Sequence, residues 1–261
     1  MRFKDEVIII TGAAEGIGYV YAEDLAREGA KIMAAFYNKD PKQVEKIDQL
    51  LSSIREEGGE ASAVGVDVSD EDSVLEMAEQ TIEKFGSIDG LVNNACLQTA
   101  KSFMEYTSTE FDQMLAVNVK GVWLCIKAVY PSMKKKGKGK IVNIGSQTFF
   151  YGWKNLAPYV ASKGGVVGLT RALARELGKD GIRLNCLCPG LTVTEGSLRE
   201  VDQSIFPGRV NEWLDSHVQG QCIGHPGYPQ DLTGALKYLL SDDSDFMTGQ
   251  TMLVDGGWAF H

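Results

Sequence analysis

Long apolar runs are absent from this sequence. No stretch approaches the roughly 20 apolar residues needed to cross a bilayer, so no membrane-spanning helix is expected. Positive charge is in deficit: 26 Lys and Arg stand against 35 Asp and Glu, a net charge of −9. A nucleic-acid-binding surface needs a basic excess or a basic stripe. The dense lysine run at residues 134–140 reads instead as the solvated end of a helix and the turn after it, where cations suit the negative end of the helix dipole. No nucleic-acid partner is expected.

Metal-ligand spacing and paired cysteines are lacking too. His217, His225 and His261 are scattered, so no metal site is expected. The cysteines, at 96, 125, 186, 188 and 222, are odd in number and contain no CxxC, which points to reduced thiols. Residues 1–5 lead straight into an apolar run with no basic segment and long apolar stretch, so no secretory signal is expected. The expected location is the cytoplasm.

What is present is a globular composition, 44% hydrophobic and 23% charged over 261 residues, enough for one large α/β domain spanning 1–261. Apolar, β-branched runs at 7–10, 31–36, 61–66, 90–92, 140–144, 183–188 and 251–254 alternate with stretches of helical spacing. Near-continuous apolar strands separated by helices predict a seven-stranded parallel sheet, doubly wound, with helices on both faces. Residues 194–221 break the rhythm. They are polar, irregular and aromatic, and are expected to form a lid over the substrate.

The first strand runs into Thr11, Gly12, Ala13, Ala14, Glu15, Gly16, Ile17 and Gly18, then a helix. A strand, a glycine turn and a helix N-terminus form a cradle for a pyrophosphate. Gly12 permits the tight turn, Gly16 the close approach of backbone to phosphate, and Gly18 the packing of helix on sheet.

Tyr159 and Lys163 are four apart in a predicted helix and share its face. A neighbouring ammonium favours phenolate and is expected to lower the phenol's pKa, suiting Tyr159 to general acid–base work. Ser146 follows the run 140–144, at the strand end where ligands bind in open α/β sheets. Its hydroxyl either bonds a substrate oxygen or caps a turn.

The spacing Gly-x3-Gly-x-Gly after Thr11, with Ser146, Tyr159 and Lys163, resembles the short-chain dehydrogenase/reductase family, and the resemblance extends over the whole chain. It implies a Rossmann-type fold and a catalytic tetrad of Asn118, Ser146, Tyr159 and Lys163, with Asn118 helping to hold a water in a proton relay. It implies cofactor contacts from Gly12, Glu15, Gly16, Ile17, Gly18 and Phe36, from Asp67 and Val68 at the adenine, and from Asn94 and Ala95. Tyr159, Lys163, Pro189 and Gly190 join them, with Thr192 and Thr194 at the nicotinamide carboxamide. Residues 248–250 and 254–257 look like the family's C-terminal signature. Position 96 departs from it: Cys stands where the family has Gly, which puts a side chain close to the cofactor channel.

The cofactor implied is NAD or NADP. Phe36 occupies the position of the usual ribose-binding acid, which weakens NAD, while Glu15 opposes a 2′-phosphate that Lys39 could reach. The expectation is NAD, with NADP left open. Ser146, Gln147, Phe149 and Tyr159 are the expected substrate contacts, and the aromatic stretch 149–153 suggests an apolar or ring-bearing alcohol, ketone or aldehyde. There is a loose similarity to members acting on aryl alcohols and pyridoxal. A homotetramer or homodimer is implied, with Gly164, Gly165 and Gly168 letting helices approach. Two other readings stay open: an epimerase or dehydratase on the same scaffold, and a catalytically silent cofactor-binding regulator, which the intact tetrad argues against.

Overall fold

The computed structural model describes residues 1–260; His261 lies outside them. Seven strands form: β1 (Val7–Thr11), β2 (Lys31–Phe36), β3 (Glu60–Gly65), β4 (Gly90–Asn93), β5 (Gly139–Ile144), β6 (Ile182–Pro189) and β7 (Thr251–Val254). They make one sheet ordered β3-β2-β1-β4-β5-β6-β7, parallel throughout. Every expected run becomes a strand. Some ends move by a residue where the ladder extends, as when Thr11 pairs with Ala35.

The helices are α1 (Gly16–Arg27), α2 (Pro41–Glu56), α3 (Glu71–Phe85), α4 (Ser108–Leu115), α5 (Gly121–Lys136), α6 (Thr148–Tyr151), α7 (Ala157–Leu177), α8 (Glu195–Glu200), α9 (Val210–Gln219) and α10 (Pro229–Leu240). Side chains alternate across each strand, so Ile9, Leu91, Ile141 and Leu184 pack with α3, α5 and α7. Ile8, Ile10, Val92, Val142 and Leu187 pack with α1, α2 and α10 on the other face. The inner strands β1, β4, β5 and β6 are buried on both faces, whereas the edge strands β3 and β7 are partly exposed; each buried apolar side chain contributes about 1.5–3 kcal/mol.

Caps explain where the helices begin and end. Asp40 accepts from Lys42 N with Pro41 following it, and Asp70 accepts from Ser73 N. Gly137, at φ +68°, ends α5 after Lys134, Lys135 and Lys136. The lysine run differs from expectation at one end. Lys140 belongs to β5 and is buried, held by Glu6 at 2.9 Å and Asp242 at 2.9 Å rather than solvated.

Strand order reverses between β1 and β4, which opens a crevice at the C-terminal ends of the strands. The segment 194–221 is not irregular, as its polar composition suggested. It is α8, a π-helical turn at Val201–Ile205, and α9. Thr194 Oγ1 caps α8 by accepting from Ser197 N at 3.0 Å, and Val201, Trp213 and His217 turn inward and are buried. Among the described residues no helix is long and apolar enough to cross a membrane.

Candidate active site

β1 delivers Thr11 to the crevice. Its hydroxyl accepts from the backbone N–H groups of Asn94 and Ala95, both at 3.0 Å. Asn94 in turn donates from Nδ2 to the Thr11 and Gly12 carbonyls, at 3.0 and 3.1 Å. Gly12 and Gly16 take positive φ, +66° and +61°, which only glycine adopts without strain. Gly18 serves the turn more than the helix packing. A Cβ there would stand 2.3 Å from the Gly12 carbonyl oxygen and 2.6 Å from Asn94 Nδ2. At Gly16 a Cβ would meet nothing nearer than Thr194, at 3.7 Å, and would fill the cradle that the phosphates need.

One cavity of about 660 Å³ runs from this turn to Lys163. Of the expected cofactor residues, only Gly18 is absent from its walls. At the far end Phe36 and Tyr37 close it beside Asp67, which accepts from Ser69 Oγ at 2.6 Å and from Lys39 Nζ at 3.2 Å. Burial raises the Asp67 pKa, and the bonds from Ser69 and Lys39 outweigh it, for a net lowering. Glu15 is not a free carboxylate: Lys46 reaches it at 3.1 Å and also holds Glu195 at 2.8 Å. Lys46 was not singled out from sequence, because no local pattern marks a contact made across 31 residues. These observations fit a dinucleotide lying along the cavity.

At the other end α7 brings Tyr159 and Lys163 onto one face, one turn apart, both nearly sealed from solvent. Lys163 Nζ lies 5.5 Å from the Tyr159 ring centre and donates to the Ile144 carbonyl at 2.8 Å, anchoring the ammonium to the end of β5. The Tyr159 pKa is raised, not lowered as the charge alone suggested. Burial dominates, and the Lys163 charge and Ser146 hydroxyl offset it only in part. Ser146 accepts from Thr148 N at 3.2 Å and from Thr148 Oγ1 at 2.9 Å, so it caps the turn and faces the cavity at once.

Asn118 stands off the cavity. It sits in a π-helical turn, Ala116–Lys120, between α4 and α5. Its Oδ1 accepts from Leu97 N at 2.7 Å, and its Nδ2 donates to the Leu97 carbonyl at 2.8 Å and to Ser162 Oγ at 3.0 Å. Ser162 Oγ then donates to the Tyr159 carbonyl at 2.7 Å. Asn118 therefore ties the wall segment after β4 to the helix that carries Tyr159.

Gln147 lines the cavity beside Ser146, but Phe149 does not. The short helix α6 turns the Phe149 ring onto Gly164 and edge-on to Phe150, 5.2 Å away. Tyr151 and Trp153 take the place expected for it, joined by Trp213 and His217 from α9. Burial pushes the His217 pKa down to about 4. Cys96 does reach the cavity wall. Two of the three glycines expected between subunits serve internal packing: a Cβ on Gly164 would meet Phe149 at 2.9 Å and one on Gly165 would meet Val119 at 3.1 Å. Gly168 faces open space.

A doubly wound sheet with a glycine cradle at its switch point, opening into the same cavity as a buried Tyr–Lys pair, defines a nicotinamide-dependent oxidoreductase. A family model described as enoyl-(acyl carrier protein) reductase matches residues 12–259. A (2S)-[(R)-hydroxy(phenyl)methyl]succinyl-CoA dehydrogenase subunit of Thauera aromatica is 36% identical over 259 residues, 98% of each chain. The meso-2,3-butanediol dehydrogenase of Serratia marcescens is 35% identical, over 98% of this chain and 96% of its own. Among solved structures, an NAD+-bound xylitol dehydrogenase superposes with a TM-score of 0.90 at 31% identity, covering 98% of this chain and 100% of that one. The chain belongs to the short-chain dehydrogenase/reductase family. It is an NAD(P)-dependent oxidoreductase working between the alcohol and ketone levels.

Proposed function

We propose that this chain interconverts an apolar or ring-bearing alcohol and its ketone or aldehyde, with Tyr159 as general acid and base. The observation that carries the reading is the convergence of Ser146, Tyr159 and Lys163 on one wall of the cavity that begins at the glycine cradle. The butanediol and xylitol dehydrogenases among its relatives support the same level of chemistry.

The nicotinamide, when bound, supplies the hydride acceptor or donor. The chain's own residues supply the rest. Tyr159 removes the hydroxyl proton in oxidation and returns it in reduction. Ser146 hydrogen-bonds the same substrate oxygen, and Lys163 stabilises the phenolate that forms. Asn118 acts as a positioning residue through Ser162. Glu15 and Asp67, Thr192 and Thr194 orient the dinucleotide. NAD is the preferred cofactor in this reading, because Lys39 and Lys46 already hold carboxylates and neither is free to receive a 2′-phosphate. α8 and α9 act as the lid, since Val201, Trp213 and His217 form its inner surface.

The assembly is a homotetramer or homodimer through the outer faces of α5 and α7, where Trp123 is 39% exposed and Gly168 is uncovered. Five free cysteines suit the cytoplasm. A spectrophotometric screen of alcohols and ketones with both nicotinamides tests the proposal. Net cofactor reduction by an apolar alcohol, faster with NAD, is expected. Substrate conversion without net change in the cofactor would point to epimerase or dehydratase chemistry instead.

A further inference from the structure

The substrate end of the cavity holds hydrogen-bonding capacity that the proton-transfer residues do not use. Gln147 directly follows Ser146, lines the cavity and is only 3% exposed. Its Nε2 stands 3.5 Å from His217 Nε2, and its amide lies beside the Tyr151 phenol. Gln147 Oε1 and His217 Nδ1 are closed to solvent and have no partner, and the buried Tyr151 hydroxyl has only the Gln147 amide beside it. Buried polar atoms are nearly always satisfied, so two orphans and an under-used phenol in residues of one cavity wall mark a cluster that a ligand completes.

The surroundings narrow the ligand. Trp153 and Trp213 line the same end, and His217 stacks on Trp258 with ring centres 4.2 Å apart. These flat walls suit a ring. Glu200 stands on this wall, and Lys163, already beside Tyr159, is the only lysine or arginine on the cavity wall among the described residues. His217 is uncharged at neutral pH. An anionic group would find no free cation here and would meet Glu200.

We propose that Gln147, Tyr151 and His217 recognise a second, uncharged oxygen of the substrate, which is a neutral ring-bearing diol or hydroxyketone rather than a simple alcohol or a hydroxy acid. This rests on the alcohol–carbonyl reading above. Gln147 and His217 reach the oxygen by side-chain rotation, exchanging their 3.5 Å contact for hydrogen bonds to it. Rotation of the Gln147 amide uncovers the Tyr151 hydroxyl, which adds a third. Gln147, Ser146 and Tyr159 line the same cavity, so the second oxygen and the reacting carbon belong to one substrate.

Three probes of similar shape test it: cyclohexanol, its vicinal diol, and the hydroxy acid in which a carboxylate replaces the second hydroxyl. In the wild-type protein kcat/KM for the diol is expected to exceed that for cyclohexanol by about 10- to 100-fold, with the hydroxy acid below both. In Gln147→Met and in His217→Phe the diol-to-cyclohexanol ratio collapses to about 2-fold or less. A packing role alone would slow both substrates together and keep the ratio, which overturns the proposal. Equal wild-type rates for diol and cyclohexanol, or a hydroxy acid as good as the diol, overturn it too and leave the alcohol–carbonyl reading intact. No net nicotinamide turnover with any of these alcohols or their ketones removes that reading, and this inference with it.

Discussion

The Lys163 ammonium lies 5.5 Å from the centre of the Tyr159 ring, with both residues closed to solvent. One turn of α7 sets that spacing, and the 2.8 Å bond from Lys163 to the Ile144 carbonyl fixes it against the end of β5. The contact opposes burial, which otherwise makes phenolate costly.

Replacing Lys163 with Met should therefore push the Tyr159 pKa higher still, since a stabilising cation leaves while the burial remains. In the proposed mechanism alcohol oxidation needs the phenolate, so its rate near neutral pH should fall by about 100-fold or more. The pH–rate profile should move to higher pH. A profile unchanged from the wild type would contradict the coupling.

Gly18→Ala tests the glycine cradle. Its Cβ would press on the Gly12 carbonyl and Asn94 Nδ2, neither of which can yield without moving the turn. A loss of about 1–3 kcal/mol and weaker dinucleotide binding are expected. Denaturant unfolding and cofactor titration measure both. A variant as stable and as tight as the wild type would mean that the turn is looser than its contacts imply.

His217 gives the fold a pH dependence with a definite sign. Its folded pKa is about 4, against 6.5 for an ordinary solvated histidine. Between those values the unfolded chain binds a proton that the folded chain does not, so the stability present above pH 6.5 is lost as pH falls towards 4. His217→Phe should flatten this part of the stability–pH curve. Identical slopes in variant and wild type would show that the imidazole does not titrate this way.

In the proposed NAD preference Lys46 is held away from a 2′-phosphate by Glu15 and Glu195. With Glu15→Gln, Lys46 loses one of its two carboxylates and can reach a phosphate. The ratio of kcat/KM for NADP over NAD should rise by roughly 5-fold, the scale of one partly exposed ion pair. A wild-type preference for NADP would overturn the NAD assignment at the outset.

The fold was legible because most of its strands, β1 and β5 above all, are apolar runs buried on both faces, and the glycine turn and the Tyr–Lys pair are local patterns. Phe149 was misplaced for a physical reason: proximity to Ser146 in sequence does not survive the turn of α6, which sends Phe149 to Gly164 and leaves Tyr151 at the cavity. Lys46 and His217 reach the site from 31 and 70 residues away from the partners they face, and no spacing rule announces such contacts. Polar composition hid α8 and α9, whose few inward residues, Val201, Trp213 and His217, are enough to seat them.

The most direct test is the turnover and cofactor binding of Tyr159→Phe, measured by nicotinamide absorbance with the best alcohol and by titration of the dinucleotide. The phenol's loss should lower kcat by about 100- to 10,000-fold while leaving dinucleotide affinity within roughly 2-fold. A variant that keeps a near-wild-type kcat would contradict the assignment of Tyr159 as the proton-transferring group.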